Sequence, residues 1–191
     1  MIDGSYTITP NSSPLELLQD LLKQGFNVTV WNQGASGSTI DDLINGTDGR
    51  HTMGLQQLMQ LSAAKFVIEN FGIDDAETET LDQYMSGIDY FVTQARLNGK
   101  TPILEEPNPV CDAKRKNIPQ LDAQVAALDA YAARYNVTLV SQYDYIKSLP
   151  NWQSMLVDCI HPDESLYKIK GDRVASVVLP LVQCAKNGTC P

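Results

Sequence analysis

Two residues near the end of the chain, Asp158 and His161, have the types and spacing of an acid–base pair. An Asp three residues before a His in a loop can accept the imidazole Nδ1–H. That fixes the tautomer and leaves Nε2 to take and return a proton. Alone, the pattern equally describes a surface histidine in a loop. A second string, Gly34-Ala35-Ser36-Gly37, follows an apolar stretch. Glycines there let backbone N–H groups face an anion or a developing oxyanion, or simply turn the chain from strand to helix. A third, Gly72-Ile73-Asp74-Asp75, places paired carboxylates after an apolar run. Acid–base work or a hard cation is the chemical reading; Asp75 capping the next helix is the structural one. His51, the other histidine, falls between two helical pieces and reads as an ordinary loop residue.

Such strings act together only if a scaffold brings them to one rim. A helix is expected from Pro14, with Ser13 as cap, Glu16 completing a capping box and Gly25 as the stop. Val28-Thr29-Val30-Trp31 reads as a short strand, followed by a polar turn over 32–39. Residues 41–64 read as helical pieces broken around Gly46 to Gly54. Phe66-Val67-Ile68 is a continuous apolar run, as for a strand buried on both faces. Leu81, Tyr84, Met85, Ile88, Phe91, Val92 and Ala95 recur at helical spacing, with Gly99 as a stop. Ile103-Leu104 begins another strand, which ends in Glu105-Glu106-Pro107-Asn108-Pro109. A helix carrying Leu121, Val125, Leu128, Tyr131 and Tyr135 precedes a strand at 137–140. A final helix bears Val174, Val177, Val178 and Leu181. Regular strand–helix alternation predicts an α/β fold: a mostly parallel sheet with helices on both faces and function at the carboxyl ends of the strands.

Composition narrows the partners. The chain has 191 residues, which suits one domain over residues 1–191, and a net charge of −9, which opposes binding to phosphate backbones. No apolar run approaches the ~20 residues of a membrane span, and no basic, apolar leader is visible at the start. The four cysteines, Cys111, Cys159, Cys184 and Cys190, contain no CxxC pair, and with two histidines they make a zinc site improbable. Cys184 and Cys190 can close the tail as a disulfide loop, which points to a secreted or periplasmic protein; four free thiols in a cytoplasmic one is the alternative.

Taken together, the three strings give the chain a resemblance to the SGNH/GDSL hydrolase family. Residues 32–39 look like that family's second block, Gly72 to Asp75 like its third (normally Gly-x-Asn-Asp), and Asp158 to His161 like its last. Glu106-Pro107-Asn108-Pro109 resembles the Thr-Pro-Asn-Pro often found after the fourth strand. The resemblance implies a three-layer α/β/α, flavodoxin-like fold and a serine esterase or deacetylase without cofactor or metal. Its substrates would be small acyl esters or acetylated carbohydrate. Asp158 and His161 would be triad members, and Gly37 and Asp74 would line the oxyanion hole. It also suggests a Cys111–Cys159 disulfide bracing the catalytic loop.

Two departures stand out. The family's Gly-Asp-Ser block, on its central first strand, is missing in that form. The chain opens Met1-Ile2-Asp3-Gly4-Ser5, so Ser5 is the fallback nucleophile. An internal start just past the block is the simplest expectation, with self-association as another way to fill the gap. Asp74 also stands where the family has Asn, and an ionised carboxylate cannot donate to an oxyanion. Both departures favour the alternative, an inactive domain of this fold that binds a glycan or a protein.

Overall fold

A computed structural model of the protein describes residues 21–114 and 116–188. Among these, three parallel strands form a sheet in the order β1 (Phe66–Glu69), β2 (Thr101–Glu105), β3 (Thr138–Val140). The register sets Ile68 beside Ile103, and Ile103 beside Thr138. Parallel neighbours need crossovers, and helices supply them. α1 (Ile40–Asn45) and α2 (Leu55–Leu61) precede β1. α3 (Asp75–Thr78) and α4 (Leu81–Leu97) join β1 to β2. α5 (Ile118–Tyr135) joins β2 to β3, and α6 (Tyr143–Ser148), a 3-10 turn (Trp152–Met155) and α7 (Glu164–Asn187) follow.

The period-2 geometry of a strand divides the core into two. On β2, Leu104 packs with Tyr84, Ile88, Phe91 and Val92 of α4 and with Leu128 of α5. Its neighbour Ile103 faces the other way, onto Val174 and Val178 of α7. Both are fully buried, which gives the three-layer α/β/α arrangement. The long helices start on defined caps. Thr80 and Gln83 form a capping box for α4, Asn117 caps α5 with Pro119 in its first turn, and Asp163 accepts from Leu166 N on α7. α1 lies close on α4 because Gly87 has no side chain. A Cβ there would sit 2.6 Å from Ile40 Cγ2, so any larger residue lifts α1 off the core.

The strand expected at Val28-Thr29-Val30-Trp31 does not form. Its alternation is obeyed: Val28 and Val30 pack on the α7 face of the core, while Thr29 and Trp31 are exposed. Among the described residues it has no ladder partner, and strand structure belongs to a pair rather than a segment. This segment and β1 both line a cavity of about 1230 Å³. Among the described residues no strand pairs with the β1 edge facing it. Of the helix expected from Pro14, residues 21–23 are described and helical, and Gly25 ends it at φ 76°. Ser13, Pro14 and Glu16 lie outside the described residues.

Candidate active site

Asp158 and His161 sit in a tight loop just before α7. An antiparallel bridge between Leu156 and Pro162 closes its base, with Val157 N donating to His161 O at 2.8 Å and Asp163 N to Met155 O at 2.8 Å. Inside the loop Asp158 Oδ1 accepts from Ile160 N (3.1 Å) and His161 N (2.9 Å). His161 Nδ1 lies 3.0 Å from both carboxylate oxygens. Burial alone would raise the Asp158 pKa, but the backbone and ring hydrogen bonds of His161 outweigh it and hold the carboxyl below its usual 3.8. One of the two residues between them, Cys159, adopts φ 67°, which L side chains rarely take. It is bonded to Cys111, as the resemblance implied, and Cys111 N donates to Cys159 O at 2.8 Å. Asn108 Nδ2 adds a bond to Ile160 O at 3.0 Å. The loop is thus pinned to the end of β2. Cys184 is also disulfide-bonded; Cys190, its expected partner, lies outside the described residues.

The two glycine strings meet through one buried carboxylate. Gly37 turns the loop at φ 73° with open space around it, so conformation rather than crowding calls for glycine there. Two residues later Thr39 and Asp42 form the capping box that starts α1. Asp75 Oδ1 accepts from Ile40 N and Oδ2 from Gly72 N, both at 2.7 Å. Asp75 therefore does not cap α3, as one reading of the sequence had it. The N-cap is Asp74, which makes no side-chain cap bond, while Asp75 ties the Gly37 loop to the Gly72 loop. Asp75 is 1% exposed, and burial raises its pKa to about 7 in spite of the two N–H donors. Asp74 instead accepts from Lys116 Nζ at 2.7 Å. A line of bonds thus runs along one rim: the Gly37 loop to Asp75, Asp74 to Lys116, Lys116 N to Asp112 O, and Cys111 to Cys159 in the His161 loop.

Beneath that rim the strand ends carry a buried polar net. Asn70 Nδ2 donates to the carbonyls of Glu105 and Glu106. Gln142 Nε2 donates to Glu105 Oε1, and Glu106 Oε2 accepts from Gln142 N and Tyr143 N. Lys170, fully buried, lies 3.6 Å from Glu105 Oε1; burial lowers its pKa and Glu105 opposes the shift. Burial, with Asp75 and Glu105 nearby, pushes Glu69 up to about 8. Asn70 and Gln142 tie the ends of β1 and β3 to that of β2, which keeps the rim in place.

His51 is not the ordinary loop residue its sequence setting suggested. Its Nδ1 lies 2.5 Å from Asp48 Oδ2 and its Nε2 3.0 Å from Gln33 Oε1. The side chains of His51 and Asp48 are 8% and 2% exposed. The guanidinium of Arg50 donates to the carbonyls of Asn32 and Gly34. Asp48, Arg50 and Lys116 were missed, and His51 was set aside as an ordinary loop residue. A signal for Asp48 and His51 was there, since Asp48-x-x-His51 repeats the spacing of Asp158-x-x-His161. Lys116 carried none. Ser5 lies outside the described residues.

Of the sequence expectations, Asp158 and His161 are in contact, and Gly37 and Asp74 lie on loops joined by Asp75. The model of the GDSL-like lipase/acylhydrolase family matches residues 2–169. The chain belongs to that family. GDSL-family chains are ester hydrolases, and solved structures with this fold agree in architecture. A putative lipolytic G-D-S-L protein from Desulfitobacterium hafniense is 21% identical over 92% of this chain and 93% of its own, with a TM-score of 0.69. A lipase/acylhydrolase from Enterococcus faecalis is 19% identical over 92% and 89%, TM-score 0.76. A carbohydrate esterase family 3 protein from Talaromyces cellulolyticus is 12% identical over 94% and 93%, TM-score 0.72. A search of curated proteins finds no match. No helix among the described residues is long and apolar enough to cross a membrane.

Proposed function

We propose that this GDSL-family chain, acting as a single domain, hydrolyses small acyl or acetyl esters, including acetyl groups on carbohydrate, by a Ser-His-Asp mechanism. The observation that carries this reading is the Asp158–His161 pair, with Nδ1 on the carboxylate and the loop braced by the Cys111–Cys159 bond. A serine of the opening segment, for which Ser5 is the candidate, attacks the ester carbonyl as its proton passes to His161 Nε2. Asp158 stabilises the resulting imidazolium. The Gly37 N–H faces the oxyanion. The Lys116 ammonium neutralises Asp74 at the position where a donor is wanted, so the carboxylate does not repel the developing charge. Collapse expels the alcohol, protonated by His161. Water then repeats the sequence on the acyl-enzyme. No cofactor or metal enters the scheme. The disulfide suits an oxidising compartment, so we place the protein outside the cytoplasm.

Asp74 favours a second reading, a domain that binds its ligand without turnover, because a carboxylate cannot donate to an oxyanion. A fluorophosphonate probe with peptide mapping separates the two. The esterase reading expects one labelled serine, with labelling and 4-nitrophenyl acetate hydrolysis both lost in His161→Ala. A folded protein that takes no label is the binding domain.

A further inference from the structure

The segment Asp48–His51 is built onto the loop that carries Gly37, and the proposed mechanism gives it no task. Arg50 spreads its fork over two carbonyls, those of Asn32 and Gly34. His51 Nε2 meets the side chain of Gln33, the residue between them. The grip thus falls on three consecutive residues, three positions before Gly37. It is itself held from behind: Asp48 Oδ1 accepts from Arg50 N at 3.0 Å and His51 N at 2.7 Å, and Oδ2 meets His51 Nδ1 at 2.5 Å. Downstream of Gly37, the Thr39–Asp42 box and the Ile40 N–Asp75 bond fix the other end. Between the two anchors, bonds within the loop run from Gly34 N to Asn32 Oδ1 and from Ser38 Oγ to Ala35 O. Among the described residues, the stretch 28–34 has no strand ladder. A backbone donor stabilises a transition state only if it is already aimed when charge develops, because reorienting it then costs what its hydrogen bond gains.

We infer that Arg50 and His51 are positioning residues, a clamp that closes on Asn32, Gln33 and Gly34 and aims the Gly37 N–H at the oxyanion. The inference rests on the esterase reading. The clamp touches no reacting atom and acts through the loop. Because the His51 arm works through the Gln33 side chain, Gln33→Ala and His51→Ala remove the same contact, and the double variant is no worse than either alone. Arg50→Lys offers the two carbonyls a single nitrogen without the planar fork and falls between wild type and Arg50→Ala.

The test reads the loop and the chemistry separately, on the full chain. Amide hydrogen exchange by mass spectrometry should speed at least ~10-fold over residues 33–38 in Arg50→Ala and His51→Ala, while β2 and α4 keep wild-type protection. Hydrolysis of 4-nitrophenyl acetate should lose ~10- to 100-fold in kcat with KM changed less than ~3-fold, the pattern of a contact used only in the transition state. Unchanged exchange over 33–38 in both variants would overturn the clamp. Faster exchange with wild-type kcat would also overturn it, by showing a held loop with no bearing on turnover. If wild-type protein hydrolyses nothing, or His161→Ala retains full activity, the esterase reading fails and takes the catalytic role of the clamp with it. The exchange data then still report whether Arg50 and His51 hold the loop.

Discussion

The molecule folds the same short motif twice. In Asp48-Gly49-Arg50-His51 and in Asp158-Cys159-Ile160-His161, the Asp Oδ1 accepts the backbone N–H groups two and three residues on. In both, the ring Nδ1 lies on the carboxylate. In both, the second residue is left-handed, at φ 76° for Gly49 and 67° for Cys159. In both, the hydrogen bonds hold the Asp pKa below 3.8 against burial. The difference lies in the surroundings. His51 and Asp48 are 8% and 2% exposed, whereas His161 and Asp158 are 13% and 29% exposed. His51 Nε2 is turned to Gln33, and its neighbour Arg50 grips the same loop. The 158–161 turn is bolted to the end of β2 through Cys111 and Asn108. The Asp-x-x-His turn is therefore a general way to aim an imidazole. What it is aimed at, and what anchors it, separates a proton carrier from a brace.

The largest effect that tests this contrast comes from the same substitution made in each copy. Asp158→Asn should lower kcat for 4-nitrophenyl acetate by roughly 10³–10⁴-fold, because the imidazole loses the partner that sets its tautomer and stabilises its charge. Asp48→Asn should cost only ~10-fold, through the loop. Equal losses would mean that the two pairs do the same work and that the distinction drawn from their surroundings is wrong.

Next in size is the anchor. Cys111 and Cys159 are 48 residues apart, and closing a loop of that length constrains the unfolded chain by up to about 4 kcal/mol. The double variant Cys111→Ser/Cys159→Ser should lose about 2–4 kcal/mol in urea unfolding. Its activity should fall further than stability explains, since residue 159 is left to hold a positive φ without its tether. Activity at wild-type level in the folded fraction would show that the hydrogen bonds from Cys111 N and Asn108 suffice.

How much of this was legible in the sequence follows from the range of the interactions. The stripe from Tyr84 to Ala95 was read correctly because burial imprints its period on one segment; Phe66-Val67-Ile68 was read correctly as a strand, but its three residues are half-buried rather than buried on both faces. Asn32 to Thr39, Gly72 to Asp75 and Asp158 to His161 were found because each motif is local and resembles a known block. Val28 to Trp31 carried the alternation of a strand, but whether it becomes one depends on a neighbour that its own residues do not specify. The Asp74–Lys116 pair spans 42 positions, and the Arg50–Asn32 contact 18; neither leaves a periodic trace. His51 was visible as half of an Asp-x-x-His motif, yet its task depends on Gln33, which no spacing rule connects to it.

The smallest effect isolates the turn itself. Gly49 is at φ 76° with nothing within 4 Å of where a Cβ would stand, so Gly49→Ala meets no clash and pays only for its backbone conformation. That cost is about 1 kcal/mol for Ala and less for Asn, whose side chain tolerates the left-handed region. Thermal unfolding should therefore rank wild type above Gly49→Asn above Gly49→Ala, with about 1 kcal/mol across the series. The Ala variant should also loosen exchange over residues 33–38 slightly, as the clamp loses its fixed turn. The comparison sharpens because Cys159 holds the same conformation without being glycine. There the disulfide and the bonds to Cys111 and Asn108 carry the strain, whereas the first copy has no such tether and relies on glycine. A Gly49→Ala protein as stable as wild type would mean that the Asp48 turn relaxes to another conformation at no cost, and the structural equivalence of the two copies would fail at that residue.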